Sequence, residues 1–177
     1  MASPRTTILA LAVTLIVVIG SVGVYLFVSG SEETGTVSIY VKDLPAEWTH
    51  VNVTFSDVRI HEASEDNESG WHTLEIHNQT VDLASLTNMS ALLASGNVSV
   101  GKYTQIRLVV TAVTGTMADG TIVNFTVPSG ELKTTHPFNV TADHTETLTL
   151  DFDLEHSINY SSSEWKFKPV LGSITEG

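Results

Sequence analysis

Hydrophobic and polar positions divide the chain into two parts with different patterns. Residues 8–28 (ILALAVTLIVVIGSVGVYLFV) form one apolar stretch without a charged side chain. Beyond residue 36, apolar residues alternate with polar ones along many short segments, most clearly in TLTLDF (residues 147–152). The first pattern is typical of a membrane-spanning helix and the second of half-buried β-strands.

The apolar stretch has the length of a membrane anchor. As a helix rising ~1.5 Å per residue, residues 8–28 would extend ~31 Å, which matches the hydrocarbon core of a bilayer. A cleaved signal sequence is the alternative, because Val28-Ser29-Gly30 offers small residues that a signal peptidase accepts. The apolar core of a signal usually has only ~7–15 residues, so we favour the anchor.

Charges beside this stretch predict its orientation. Arg5 precedes it and Glu32 and Glu33 follow it, which favours a cytoplasmic amino terminus. We therefore expect a single-pass protein of the cell membrane whose carboxy-terminal domain is extracellular. The expected segments are a cytoplasmic tail (1–7), a transmembrane helix (8–28), a tether (29–35) and an extracellular domain (36–177).

The alternation in the extracellular part predicts an all-β domain. About eight short segments of this kind, separated by turn signals such as Asp119-Gly120, favour an antiparallel β-sandwich over an α/β fold. Phe55 and Val58 fall on opposite parities, so a β-bulge near Ser56-Asp57 is expected to let both face the core. Residues 82–95 break the alternation. Their leucines, spaced three or four apart, predict a helical turn or one short helix that ends at Gly96.

Asparagine occurs only within one short pattern. Each asparagine is followed two residues later by Ser or Thr, without proline between them, and this is the acceptor sequence (sequon) for N-glycosylation. Ser and Thr make up roughly a quarter of the chain, so eight matches in eight would arise by chance roughly once in 10⁵. All eight follow the apolar stretch. We predict N-linked glycans at Asn52, Asn67, Asn78, Asn88, Asn97, Asn124, Asn139 and Asn159.

Composition narrows the class of protein. The chain has no cysteine, which excludes a disulfide framework and, together with dense sequons, favours an archaeal surface protein over an animal one. The net charge is −12, and Arg5 is the only one of the eight basic residues outside residues 29–177. That part therefore carries seven basic and 20 acidic groups, a net charge of −13. Such a charge disfavours binding to nucleic acid or to anionic lipid headgroups.

Two groups of side chains raise the hypothesis of a cation site. They are three histidines and three carboxylates: His61, His72 and His77, and Asp151, Asp153 and Glu155. The histidines would approach one another if two strands form a hairpin, and the carboxylates share one face of a predicted strand, as calcium ligands do. Neither group has the spacing of a dedicated site. We therefore favour surface histidines and a solvated acidic face.

Catalytic patterns are missing from the sequence. It contains no Cys nucleophile, no G-x-S-x-G, no H-E-x-x-H and no Gly-rich phosphate loop, so we expect neither an enzyme nor a cofactor. The tryptophans Trp48, Trp71 and Trp165 suggest a sugar-binding patch, although tryptophans at strand ends more often pack the rims of a sandwich.

Seven segments, taken in order, resemble one known family: GTVSIYVKDLPAEWTHVNVTFSDVRIHEA, GWHTL, VDLASL, GKYTQIRLVV, VPSGELK, LTLDFDLEHSI and WKFKPVL. They run from Gly35 to Leu171 and are similar to domain-of-unknown-function family 4382, found in archaeal and bacterial surface proteins. The resemblance implies a transthyretin-like or immunoglobulin-like β-sandwich on an exported protein. It implies no activity.

These observations favour a non-catalytic interaction or adhesion module, or an accessory subunit of an envelope complex. The expected partners are the membrane, N-linked glycans, and other envelope proteins or further copies of the chain. One alternative is a subunit of an extracellular filament or surface lattice, in which residues 15–28 would add as a strand to a neighbouring domain. The other alternative is a module that binds a cation or small ligand.

Overall fold

Two β-sheets and a two-stranded ribbon make up most of the chain that the computed structural model describes, which is residues 33–43, 48–64, 69–87 and 89–177. The strands are β1 (Thr34–Asp43), β2 (His50–Glu62), β3 (Trp71–Thr73), β4 (Glu75–Ile76), β5 (Thr80–Asp82), β6 (Ala91–Ser99), β7 (Gly101–Thr116), β8 (Ile122–Asn124), β9 (Glu131–Val140), β10 (Thr145–Phe152), β11 (Ile158–Ser161), β12 (Glu164–Phe167) and β13 (Leu171–Glu176). A 3₁₀ turn spans Leu83–Leu86 and a helical turn, α1, spans Leu154–Ser157. The prediction of a β-rich domain is confirmed.

The predicted transmembrane helix at residues 8–28 lies outside the described residues. Within them, no helix has the length and apolar character that a membrane crossing requires.

The larger sheet has six strands and is built on one long antiparallel ladder. β2 and β7 pair along this ladder, β3 and β5 join β2, and β8 and β9 join β7. The β2–β7 register shifts between Phe55 and Asp57, which confirms the predicted bulge. Because of this extra residue, Phe55 and Val58 both reach the core and are fully buried.

The other sheet has five strands in the order β13-β10-β1-β6-β4. β1 pairs with β6 in the antiparallel sense but with β10 in parallel, with Ile39 opposite Leu148. The expectation of antiparallel pairing throughout is therefore wrong for this ladder. A parallel pair needs a long connection, and the strands of the six-stranded sheet lie within the connection from β1 to β10.

Inward-facing residues of the two sheets form one hydrophobic core. The ring of Phe55 on β2 lies 6.2 Å from that of Phe152 on β10, centroid to centroid, and both side chains are fully buried. Burial of one such side chain contributes about 1.5–3 kcal/mol. These contacts hold the two sheets together and leave their opposite faces for polar residues.

The prediction of a helical turn or short helix in residues 82–95 is confirmed only for Leu83–Leu86, which form a 3₁₀ turn, and is wrong for the rest of the segment. Leu83 and Leu86 are buried through the 3₁₀ turn, and the chain then continues as strand β6. Leu93 and Ala94 are both buried because the β1–β6 register shifts there, so two consecutive residues face inward. This bulge gave the leucines a helix-like spacing. Gly96 lies inside the strand, where a Cβ would be 3.1 Å from Leu74.

The strand boundary at the start of the domain also differs from the prediction. β1 begins at Thr34, inside the segment predicted as a tether (29–35). A Cβ on Gly35 would clash with the carbonyl oxygen of Thr141. Gly35 is thus packed against another segment of the domain and belongs to the fold.

Candidate functional site

Six of the eight predicted glycosylation sites lie within the described residues, and none of the six is buried. Five are in strands: Asn52, Asn97, Asn124, Asn139 and Asn159. Asn78 lies between β4 and β5. Asn67 and Asn88 are outside the described residues. Surface exposure is what an N-glycan requires, and whether these asparagines carry one stays a prediction.

Strand geometry explains how a sequon fits into a buried sheet. Side chains alternate between the two faces of a strand, so the Asn and the Ser or Thr of a sequon share the outer face. In four of the five in-strand sequons the residue between them faces the core, whereas Tyr160, in the sequon of Asn159, is exposed. Val53, Val98, Phe125 and Val140 occupy this middle position and are buried.

Some sequon side chains also bond to the fold. Thr36 donates its hydroxyl to Oδ1 of Asn97 at 2.9 Å, and Nδ2 of Asn78 donates to the carbonyl oxygen of Leu92 at 2.6 Å. The hydroxyls of Thr54 and Thr80, which complete the sequons of Asn52 and Asn78, lie 3.0 Å apart. The sequons are therefore part of the hydrogen-bonded surface of the domain.

Two sequon asparagines lie in one cross-strand line on the outer face of the six-stranded sheet. Asn52 is directly opposite Thr114, and Thr114 is directly opposite Asn124. We name Asn52, Thr114 and Asn124 the sequon row. With neighbouring strands ~4.8 Å apart, the two asparagines are separated by ~10 Å. Glycans on both would stand side by side at this end of the sheet.

Three basic residues form a second line on the same face. Arg59 on β2 is directly opposite Arg107 on β7, and Arg107 is directly opposite Lys133 on β9. We name Arg59, Arg107 and Lys133 the basic row. It holds three of the seven basic residues that follow the apolar stretch, including both arginines. Like charges on directly opposite residues destabilise a sheet, so a surface of this kind needs compensation from its neighbours.

Two carboxylates and one indole provide that compensation. Arg59 forms an ion pair with Asp57, and Nε of Arg107 lies 3.1 Å from Oε1 of Glu131. The guanidinium carbon of Arg107 lies 4.2 Å from the ring centroid of Trp71. Lys133 Nζ lies 5.7 Å from the same centroid, within the range of a cation–π contact.

Lys133 differs from the two arginines in its surroundings. Its side chain is exposed, and among the residues that the structure describes no carboxylate lies within ion-pair distance of its ammonium. The side chains of Arg59 and Arg107 are only 33% and 23% exposed. Lys133 is therefore the cation of the basic row most available to an anionic partner.

The three candidate histidines do not form one site. β2 and β3 do pair as a hairpin, with His61 opposite Trp71 and Ile60 opposite His72. His61 and His72 therefore lie on opposite faces of the sheet. Nε2 of His72 is 3.2 Å from Oε2 of Glu62, and Nε2 of His77 is 2.7 Å from Oγ of Ser95.

The three candidate carboxylates are also separated. Asp151 is only 8% exposed and forms an ion pair with Lys42 at 3.1 Å, so the prediction that its carboxylate is solvated is wrong. Asp153 follows β10 and caps α1, accepting from the backbone N–H of His156 at 3.0 Å, while Glu155 is exposed within α1. Within the described ranges, no three His, Asp or Glu side chains are placed to hold a metal ion.

Two of the three tryptophans share an aromatic cluster. Trp48 lies 5.1 Å from both Phe125 and Trp165, centroid to centroid, and Tyr160 lies 5.1 Å from Trp165. Trp71 lies apart, beside the basic row. The hypothesis of a single patch of three tryptophans is thus wrong, and packing accounts for Trp48 and Trp165.

The basic row was missed from the sequence. Arg59 stands between buried Val58 and Ile60, and Arg107 between buried Ile106 and Leu108, so alternation alone marks both as outward-facing. That they are neighbours depends on the register of the β2–β7 ladder, which alternation does not specify.

Comparison with known proteins bears on the family only. A search of curated proteins and a search of solved structures each gave no match. The model of one protein family, described as a domain of unknown function (DUF4382), matches residues 34–169, which include β1 to β12 and both rows. The chain therefore belongs to the DUF4382 family.

Proposed function

We propose that this chain is a membrane-anchored, N-glycosylated cell-surface protein that acts as a non-catalytic interaction module. Residues 8–28 hold it in the membrane, and the domain that follows is a β-sandwich of the transthyretin- or immunoglobulin-like kind. The basic row contacts an acidic partner in the cell envelope. The outer face of the six-stranded sheet is the observation that carries this proposal.

The distribution of sequons on that face supports a contact surface between glycans. The sequon row lies seven residues from Arg107 along β7, or ~20 Å. Asn139 is opposite Lys102, ~15 Å from Arg107 in the other direction. Sugars at these positions would border the basic row from both ends without covering it.

Charge supports an acidic partner. A domain with a net charge of −13 repels acidic surfaces in general, and the basic row offers them one local attraction. Complementary charges contribute more to specificity and association rate than to affinity, and salt screens them. We therefore expect partner binding to weaken steeply as ionic strength rises.

The test uses the full-length chain, expressed in a host that N-glycosylates exported proteins and purified from its membranes in mild detergent. Glycopeptide mass spectrometry is expected to find sugar on the sequons, and co-purification identifies the partner. Lys133→Glu is expected to abolish co-purification. Lys168→Glu is the matched control, since Lys168 is also exposed and, among the described residues, also lacks an ion pair.

Three results would contradict the proposal. They are recovery of the chain from the cytosol, asparagines without sugar in the glycopeptides, and equal retention of the partner by Lys133→Glu and Lys168→Glu. Each result addresses a different part of the proposal, namely the anchor, the glycans or the contact surface.

A surface lattice or filament is the second candidate, and the same charges favour it. The basic row of one copy can meet the acidic surface of the next. Such a contact joins two different patches, and it builds open chains unless the rotation between copies closes a ring. Salt-dependent assembly seen by electron microscopy, and lost in Lys133→Glu, would select this candidate over a separate partner protein.

A further inference from the structure

Large apolar side chains at the surface of the described residues occur near sequons. The exposed large hydrophobic residues there are Met89, Val100, Ile122 and Tyr160. Each lies within three positions of a sequon asparagine, respectively Asn88, Asn97, Asn124 and Asn159. Ile122 is the most exposed, at 73%. Such an association is expected if attached sugars cover these side chains.

Ile122 has the most direct geometric relation to its sequon. It lies two residues before Asn124 on β8, so the two side chains project from the same face, ~7 Å apart along the strand. Val123 between them is partly buried and points the other way. Thr116 and Thr114 lie directly opposite Ile122 and Asn124 on β7. An apolar surface thus adjoins the atom to which a glycan would be attached.

We propose that Ile122 is the packing surface for the first sugars of an N-linked glycan on Asn124. This inference rests on the proposed function, in which Asn124 is glycosylated. A pyranose ring presents an apolar C–H face, and placing that face on Ile122 removes apolar surface of both groups from water. The hydroxyls of Thr114 and Thr116 lie beside the same surface, within reach of polar groups at the edge of the ring.

A glycan attached to Asn124 is favoured over a second copy of the chain as the group that covers Ile122. A group joined to Asn124 is held near Ile122 at a high effective concentration, whereas a separate molecule pays the full cost of association. A glycan on Asn52, ~10 Å away in the sequon row, would also obstruct the approach of another protein surface.

A double-mutant cycle on the full-length glycosylated chain tests the proposal. The variants are Ile122→Ser, Asn124→Gln and the double variant, and thermal unfolding is followed by tryptophan fluorescence. Ile122→Ser is expected to lower Tm by about 2–4 °C more when Asn124 is present than in the Asn124→Gln background. Asn139→Gln removes a glycan at the other end of the face. In that control background the effect of Ile122→Ser is expected to be unchanged.

The outcomes separate this inference from the function on which it rests. An equal Tm shift with and without a glycan on Asn124 overturns the packing surface alone. A bare Asn124 in glycopeptide mass spectrometry overturns both the packing surface and the predicted modification at this position. If Ile122→Ser instead dissociates an oligomer, as measured by light scattering, a second copy covers Ile122 and the proposal is overturned.

Discussion

Trp48 packs directly against Gly115 of β7, so closely that a Cβ at position 115 would lie 2.7 Å from two carbons of the indole ring. The same Cβ would lie 2.7 Å from the ring of Phe125. The aromatic cluster therefore depends on a residue without a side chain at this point of the sheet. We expect Gly115→Ala to lower the free energy of unfolding by about 1–3 kcal/mol, because two rings must move.

Chemical denaturation followed by circular dichroism measures this effect. Gly172→Ala is the control, since its Cβ would meet only the carbonyl oxygen of Asp151 at 3.8 Å, an ordinary contact. Replacing glycine also reduces the freedom of the unfolded chain, so the control is expected to be neutral or slightly stabilising. Equal stability of the two variants would contradict the packing argument.

The contact between Phe55 and Phe152 predicts a large loss of stability on truncation. Phe55→Ala is expected to cost about 3–5 kcal/mol, because it removes buried apolar surface and leaves a cavity between the sheets. Ser56→Ala, the exposed neighbour in the bulge, is expected to change the free energy of unfolding by less than about 0.5 kcal/mol. Urea unfolding of both variants checks the difference, and a loss below about 1 kcal/mol for Phe55→Ala would contradict a shared core.

The pair of Asp153 and His156 predicts a pH dependence. Oδ2 of Asp153 lies 2.8 Å from Nδ1 of His156, and this hydrogen bond, with the attraction between the charges, raises the pKa of His156 above its ordinary 6.5. Hydrogen bonds from the backbone N–H and the ring of His156 lower the pKa of Asp153 below 3.8. The histidine's contribution to stability is fully present below pH 6.5 and is lost as pH rises through its raised pKa. The carboxylate's contribution is present above pH 3.8 and is lost as pH falls through its lowered pKa.

An NMR titration of the His156 ring tests this pair. Asp153→Asn is expected to bring the pKa of His156 back towards 6.5, because the charge and the carboxylate acceptor are removed. Glu155→Gln is the matched control. The charge of Glu155 also raises the pKa of His156, but less than Asp153 does, so its loss is expected to have a smaller effect. The same titration curve in the native chain and in Asp153→Asn would contradict the pairing.

Tyr103 predicts a loss of stability at alkaline pH. Burial, with a smaller effect from the charge of Glu62, raises the pKa of Tyr103 to about 12, and its hydroxyl donates to the carbonyl oxygen of Ser99 at 3.0 Å. The unfolded chain loses this proton near pH 10, so stability from the neutral phenol is fully present below pH 10 and is lost progressively towards pH 12.

Tyr103→Phe keeps the stacking on Phe138 and removes the hydroxyl. It is expected to cost about 1 kcal/mol at pH 8 and less at pH 11, where the native protein has lost part of its advantage. Urea unfolding at the two pH values measures the change, with the exposed Tyr160→Phe as control. A difference between native and variant that does not depend on pH would contradict the assignment.

Alternation predicted strands well where one residue faces in and the next faces out. Leu148, Leu150 and Phe152 are buried as β10 required, and the change of parity after Phe55 located the bulge. The same reasoning failed at Leu93 and Ala94, because a shift in strand pairing placed both in the core. Such a shift depends on the neighbouring strand, which local sequence does not contain.

The candidate site was likewise predictable from the sequence only where it depends on local pattern. Each sequon is a local pattern, so all eight positions were available from the sequence. The basic row depends on pairing between residues far apart in the chain, as Arg107 is opposite both Arg59 and Lys133. Asp151 shows the same dependence. Its outward position was predicted from parity, but its burial and its pairing with Lys42 follow from the parallel ladder.

That parallel ladder has a consequence for biosynthesis. One edge of β1 stays unpaired until the chain has been synthesised as far as Phe152, since its partner β10 spans Thr145–Phe152. Closure between such distant segments is slow compared with local pairing. In an exported chain that emerges from its amino-terminal end, all sequons up to Asn139 leave the translocation machinery before the five-stranded sheet can close. A transferase acting there would meet these asparagines before the fold is complete, so an in-strand position such as Asn52 is no barrier to modification.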